Sequence, residues 1–309
     1  MGFLYMLEKI RMPWLNDLML GITAFGEETA FLVIALIVFW CVDKYRGYYL
    51  LGVGLTGTLL SQFMKLLCRI PRPWVLDEKF TIVEDAREAA GGYSFPSGHT
   101  QSAVGTFGAI AASAKNKIVI AVCIVIAVLT GFSRMYLGVH TPADVLVGAA
   151  LSVVLIFVLK PLMLGDNKKH IPWVFGVMLA LSCAFLAYVE LYPFPADLDG
   201  HNYESALKNS YTLIGCCAGV LVIWFADERK LHFDTKATWW AQILKVIFGL
   251  LAVLAVKEGL RSPLEIVFGD VLIARAVRYF LIVVMAGIVW PLTFRWFSKL
   301  GNRKAEEAK

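Results

Sequence analysis

Residues 95–144 read FPSGHTQSAVGTFGAIAASAKNKIVIAVCIVIAVLTGFSRMYLGVHTPAD, and this stretch decides the fold. Polar, reactive side chains gather at its two ends: Ser97, Gly98 and His99 at the first, then Ser133, Arg134, His140 and Asp144 at the second. Between them lie two mostly apolar runs, parted by Lys115 and Lys117. The runs are long and lack period-two alternation, which predicts helices rather than strands. Two membrane crossings return a chain to the face it left, so the two ends of the stretch are expected to meet.

The rest of the chain fits that reading. Of 309 residues, 59% are hydrophobic and only 17% charged, and the mean hydropathy is +0.68. A soluble domain carries about 25% charged residues, so the deficit points to lipid. The expected fold class is an all-α, polytopic membrane helix bundle with about nine transmembrane helices, each near the ~17–25 residues that a bilayer core demands. They are expected near 18–42, 47–68, 97–115, 117–137, 142–164, 172–192, 209–226, 238–257 and 271–296. Residues 1–309 are read as one integral membrane domain, with a catalytic core at 44–164 and additional transmembrane helices at 171–296. Residues 1–16 mix apolar and charged side chains and predict an amphipathic helix in the interface rather than a cleaved leader.

A formal net charge of +5, spread over short loops, excludes a nucleic-acid partner and suits anionic headgroups instead. The six cysteines lie in or beside apolar runs without a C-x-x-C pair, as small buried hydrophobes do. An odd number of crossings puts the termini on opposite sides. Lys44 and Arg46, Lys115 and Lys117, Lys168 and Lys169, Arg229, Lys230 and Lys236, and the tail with Arg295, Lys299, Arg303 and Lys304 then share one side, which the positive-inside bias makes cytoplasmic. The loops with Asp77, Glu78, Glu84, Asp85, Glu88, Asp197 and Asp199, and every reactive motif, face the other. The expected location is a cell membrane, multi-pass, with the active site on the extracytoplasmic side.

Each motif has a bland and a functional reading. Lys65 could merely snorkel from the end of its helix, and Arg72 between Pro71 and Pro73 could merely mark the exit. Ser97 could be a plain N-cap. Yet Ser97-Gly98-His99 opens a helix, where free backbone N–H groups and the dipole favour an anion. His140 and Asp144 are one helical turn apart, close enough for a carboxylate to orient an imidazole. Pro142 suits a first helical turn with Thr141 as its cap. A metal site built from His99, His140 and Asp144 is the rival chemistry, but Lys65, Arg72 and Arg134 converging nearby favour a phosphate over a dication. Glu27 and Glu28, at the outward end of the first crossing, serve the helix dipole or touch a headgroup or the arginines.

Together, Lys65-x6-Arg72-Pro73, Pro96-Ser97-Gly98-His99 and Ser133-Arg134-x5-His140-x3-Asp144 resemble the three-part signature of the type 2 phosphatidic acid phosphatase superfamily. That group includes lipid phosphate phosphatases, glucose-6-phosphatases and vanadium haloperoxidases. The resemblance covers residues 65–144, extends through the core helices to about 164, and departs from the pattern at no signature position. The nine-helix layout is similar to that of glucose-6-phosphatases and sphingosine-phosphate phosphatases.

The resemblance implies a metal-independent histidine phosphatase without cofactor. In it His140 attacks phosphorus, Asp144 holds His140, and His99 protonates the leaving oxygen and later activates water. Lys65, Arg72, Ser97, Gly98 and Arg134 bind the phosphoryl oxygens. The expected substrate is a lipid phosphomonoester or diphosphate of phosphatidate, sphingoid or isoprenoid type, with the surrounding membrane lipids as the other partners. The alternative is a soluble phosphate such as a sugar phosphate.

Overall fold

The computed structural model describes residues 1–88, 90–166, 168–195 and 198–300. Asp197 and the charged tail Asn302–Lys309 lie outside the described residues. The described chain is helical, in the order α1 (Gly2–Lys9), α2 (Pro13–Thr23), α3 (Glu28–Ile37), α4 (Lys44–Cys68), α5 (Pro73–Leu76), α6 (Gly98–Ser113) and α7 (Lys117–Tyr136). There follow α8 (Pro142–Leu164), α9 (Ile171–Leu191), α10 (Gly200–Ala226), α11 (Trp239–Gly259), α12 (Arg261–Phe268), α13 (Val271–Val284) and α14 (Phe294–Lys299).

Among the described residues, 7 helices are long and apolar enough to cross a membrane, or up to 8 if the bent α2–α3 pair is one crossing. The chain is therefore an integral, multi-pass membrane protein. The other segment expected to cross, α6, has 16 residues, a rise of about 24 Å against a hydrocarbon core of about 30 Å. It can be short because it is wrapped by protein: Thr100, Gln101, Ala103, Thr106 and Ala109 are fully buried.

The first crossing departs from the single helix expected over 18–42. Ala24–Gly26 form a 3₁₀ turn, Glu27 is extended, and α3 sets off from Glu28 at 54° to the helix before it. The cause is close packing. A Cβ on Gly26 would lie 2.7 Å from the His99 carbonyl oxygen and 2.9 Å from the His99 Cβ. Only a glycine lets this turn rest on the start of α6.

The described chain separates into two compact units. The first comprises Met1–Leu32, Tyr49–Pro161 and Tyr192–Ala206. Here α6 packs along α7, and α2 lies against α7. Ser152 Oγ donates to the Gln101 carbonyl at 2.6 Å, and Tyr49 donates to the Ile156 carbonyl at 2.8 Å, so α6 and α8 are held by buried hydroxyls. The amphipathic α1 does not lie alone in the interface. Its Leu4 is buried with Phe80 and Ile82, and Arg11 donates to the carbonyls of Tyr136 and Thr81 at 2.9 and 2.7 Å.

The second unit comprises Val33–Tyr48, Leu162–Leu191 and Leu207–Lys309. Its centre is aromatic: the ring of Tyr48 stands edge-on to Phe39 and Trp224 at 4.9 and 5.1 Å. Lys44 and the buried Asp227 form an ion pair at 2.8 Å.

Candidate active site

Three chain reversals in the first unit build the site. The first is the end of α7. Its C-terminus is a Schellman motif: Gly138 N donates to the Met135 carbonyl and Val139 N to the Arg134 carbonyl, both at 3.1 Å. Gly138 takes φ +83°, the left-handed conformation that favours glycine. This single reversal carries the chain from Arg134 on α7 to His140 at the mouth of α8.

The second reversal is the start of α8, a capping box. Thr141 N donates to Asp144 Oδ2 at 2.8 Å, and Asp144 N donates to Thr141 Oγ1 at 3.3 Å. The carboxylate is thus pinned before it meets a histidine. The third is the start of α6, where Ser97 is the N-cap and its Oγ accepts from Thr100 N at 3.4 Å and Thr100 Oγ1 at 2.9 Å. Ser97 N donates to the Asp144 carbonyl at 3.0 Å, which ties the first turn of α8 to that of α6.

His140 is the centre, with 1% of its surface exposed. Arg72 Nη1 lies 2.9 Å from His140 Nε2. A guanidinium can only donate, so Nε2 is the unprotonated nitrogen with its lone pair directed at the arginine. The proton is then on Nδ1, which faces Asp144 Oδ2 at 3.5 Å and Ser94 Oγ at 3.4 Å. Burial, then the charges of Arg72, Arg134 and Lys65, hold this imidazole well below the ordinary histidine range, so it is neutral. A neutral imidazole with its lone pair turned to a cation is a poised nucleophile.

The cations differ in how they are held. Arg72 is saturated: Nε donates to the Gly92 carbonyl, Nη2 to that of Gly91 and Nη1 to that of Val139, at 3.0, 2.8 and 3.0 Å. Lys65 Nζ donates to the Tyr93 carbonyl at 2.5 Å. Arg134 is fully buried, yet only Nη1 is satisfied, by Thr23 Oγ1 at 2.8 Å. Its Nε and Nη2 have no partner, and neither has His99 Nε2. Buried donors of this kind cost free energy until an acceptor arrives. A side chain at Gly98 would meet no atom within 4 Å, so its backbone lies open to the cavity that it lines.

That cavity measures about 310 Å³ and brings Lys65, Arg72, Gly98, His99 and His140 together on its wall. Ser97, Arg134 and Asp144 are not on its lining: Ser97 caps α6, Arg134 reaches Thr23, and Asp144 stands behind His140. Among the described residues no group of three or more His, Cys, Asp or Glu side chains is placed to hold a metal ion.

Two features escaped the sequence. Ser94 Oγ donates to Asp144 Oδ2 at 2.6 Å, the shortest hydrogen bond to that carboxylate, but Ser94 falls outside the Pro96–His99 motif and carries no signal of its own. Thr23 partners Arg134 across 111 residues and carries no sequence signal. Glu27 and Glu28, by contrast, were visible as an odd acidic pair, and the bend at Gly26 places both on the cavity wall.

Comparison with known proteins accords with this geometry. Residues 46–168 match the PAP2 superfamily, and residues 211–303 match the PAP2 superfamily phosphatase transmembrane extension. Phosphatidylglycerophosphatase B of Bacillus subtilis is 34% identical over 160 residues, covering 49% of this chain and 76% of that protein. Undecaprenyl-diphosphatase BcrC of the same organism is 28% identical over 145 residues, covering 46% of this chain and 72% of that protein. No solved structure matches the chain. Identity of this extent over three quarters of a relative reaches well beyond three short motifs, and it makes the chain a member of the PAP2 superfamily and a membrane-embedded phosphoric ester hydrolase.

Proposed function

We propose that the protein hydrolyses a lipid phosphate, through a phosphohistidine on His140 and without a metal, at the extracytoplasmic face of a cell membrane. The observation that carries the mechanism is the 2.9 Å approach of Arg72 to His140 Nε2. It supports the tautomer with the lone pair on Nε2 and with Nδ1–H toward Asp144. Substrate exchanges that contact for one between Arg72 and a phosphoryl oxygen. Nε2 then forms the P–N bond as the P–O bond to the lipid breaks, and His99, as the imidazolium once the phosphate faces the cations, gives its Nε2 proton to the departing oxygen.

Asp144, held by Ser94 and the Thr141 amide, stabilises the charged imidazole of the intermediate. Arg134 offers Nε and Nη2, and Gly98 its amide, to the charge that gathers on the equatorial oxygens. In the second half, water attacks phosphorus, His99 takes its proton, and the P–N bond breaks to release inorganic phosphate.

A lipid substrate is supported by relatives named for lipid phosphatase activities and by a cavity at the ends of membrane-spanning helices. The decisive test is phosphate release from phosphatidate, phosphatidylglycerophosphate, sphingosine phosphate, undecaprenyl diphosphate and glucose 6-phosphate, in excess chelator, with vanadate as inhibitor. Hydrolysis of a lipid in chelator and its loss to vanadate are expected. Preference for the sugar phosphate overturns the lipid reading, and activity restored only by added zinc or magnesium overturns the metal-free one.

Sidedness has its own test. Cys68, exposed at the end of α4 three residues after Lys65, should react with an impermeant maleimide on intact cells. Labelling only after permeabilisation reverses the orientation.

A further inference from the structure

The cavity is larger than a phosphoryl group, and its remaining wall has a different chemistry. Its volume of about 310 Å³ falls at the lower end of small-molecule sites, roughly 300–1,000 Å³. The same lining includes Thr58, Ser61 and Gln62 on one face of α4, with Gln101 and Ser102 on the turn of α6 after His99. Ser61 is 2% exposed, Gln101 1% and Ser102 8%. Even so, Ser61 Oγ, Gln101 Nε2 and Ser102 Oγ have no hydrogen-bond partner. Buried polar groups are ordinarily paired, and three unpaired ones lining one cavity mark a place where a ligand completes them. Glu27 and Glu28 close the same cavity from the α2–α3 bend.

We infer that this wall is a headgroup subsite, in which hydroxyl groups on the carbon skeleton next to the reacting phosphate are bound and Glu27 disfavours a second phosphate. The inference rests on the phosphatase reading above and deepens it by naming a substrate class: phosphomonoesters of a polyol, such as a glycerol headgroup. Hydroxyls and a carboxamide both give and accept hydrogen bonds, as a polyol requires. A carboxylate only accepts, so it takes a hydroxyl proton and repels an anion. Lys65 and Arg72 are anchored by backbone carbonyls, that of Tyr93 for Lys65 and three for Arg72, and among the described residues they are the lysine and arginine on the cavity wall, both needed by the reacting phosphate. Glu27 lines the same cavity as Lys65, Arg72 and His140, which puts its charge on a wall shared with the phosphoryl site. The polarity of this wall also excludes an acyl or isoprenyl chain from it.

The test compares substrates within one enzyme. Wild type and Glu27→Gln are assayed on 1-acylglycerol 3-phosphate, which carries a free hydroxyl beside its phosphate and no other phosphate, on phosphatidate, which carries no such hydroxyl, and on an isoprenyl diphosphate. The ratio of kcat/KM for the hydroxyl-bearing over the hydroxyl-free monoester should fall about tenfold or more, as loss of a hydrogen bond to a charged group entails. The ratio for diphosphate over phosphatidate should rise. Gln101→Leu should lower the first ratio and leave the second where it was.

A uniform loss on all three substrates makes Glu27 a mere counter-charge for Arg134 and overturns the inference, as does a wild-type preference for the diphosphate. The same variants on glycerol 3-phosphate and propyl phosphate keep the two readings apart. If no lipid is hydrolysed, the lipid reading falls, while an unchanged ratio on this soluble pair sinks the subsite.

Discussion

The two units bury polar groups in opposite ways. In the second unit several buried polar side chains are answered by a partner within the unit. Ser182 donates to the Leu179 carbonyl and Ser210 to that of Leu207, each one turn back. Lys245 donates to the Thr235 carbonyl at 2.9 Å, and Asp227 pairs with Lys44. Its unpartnered atoms, Gln242 Oε1, Arg278 Nε and Trp290 Nε1, sit on separate elements. In the first unit Ser61, His99, Gln101 and Ser102 leave unpartnered atoms around one cavity, and Arg134 leaves two beside it. Local satisfaction stabilises a helix bundle and does nothing more; polar groups left open together, at a cost of about 1–3 kcal/mol each, describe a site. The comparison predicts that substitutions in the first unit act on turnover and those in the second on stability.

The largest effect is expected at His140. His140→Ala removes the atom that bonds phosphorus, and turnover should fall by about 10⁵-fold, the scale set by loss of a nucleophile. Phosphoenzyme, which alkaline quench with labelled substrate preserves because the P–N bond is acid-labile, should become undetectable. Trapping of a phosphohistidine in His140→Ala would mean that another histidine attacks. Arg134→Ala comes next. It deletes the open donors Nε and Nη2 and should lower kcat by about 10²–10³-fold, as removal of a transition-state donor does. Because Arg134 is buried and unpaired in part, the folded state should lose little. A variant that unfolds rather than slows would place Arg134 with the scaffold, and would blur the contrast between the units.

How much of this was legible in the sequence follows from which interactions are local. Apolar runs of helical length gave the bundle, because burial in lipid needs only composition and length. The three motifs marked residues that the fold brings to one cavity wall, Lys65, Arg72, Gly98, His99 and His140, because each motif gathers reactive side chains over a few residues. What escaped was set by tertiary contact. The bend at Gly26 comes from the backbone of α6, 73 positions on, and no residue near Gly26 announces it. Thr23 meets Arg134 and Ser94 meets Asp144 only after α2, α7 and α8 have been placed. The length of α6 misled for a related reason: a helix screened by protein need not match the bilayer.

Ser94 therefore offers the next, smaller test. Its hydroxyl holds Asp144 Oδ2 at 2.6 Å, while the Thr141 amide holds the same oxygen at 2.8 Å. Ser94→Ala leaves the amide in place, so the carboxylate keeps its position but loses one of its two anchors. Support of this kind is worth about 10-fold or somewhat more, and kcat should fall by that factor with KM little changed. A fall as deep as that of His140→Ala would put Ser94 among the reacting groups rather than behind them.

The smallest effect on turnover is expected in the second unit, at its ion pair. Asp227 is fully buried and Lys44 retains 15% of its side-chain exposure. Lys44→Met strands the carboxylate, and removing one partner of a buried pair costs more than the pair itself contributed. Allowing for the exposure of Lys44, a loss of about 2–3 kcal/mol is expected, read as a lower melting temperature in detergent. The double variant Lys44→Met with Asp227→Leu removes both charges and should recover most of that loss, since two apolar groups leave nothing unpaired. Through both variants kcat per folded molecule should stay within about twofold, because Lys44 and Asp227 pair with each other and with residues of their own unit rather than with the reacting groups. A tenfold fall in kcat at unchanged melting temperature would show that the second unit shapes the chemistry as well as the fold, and the division drawn from the buried polar groups would fail at its clearest point.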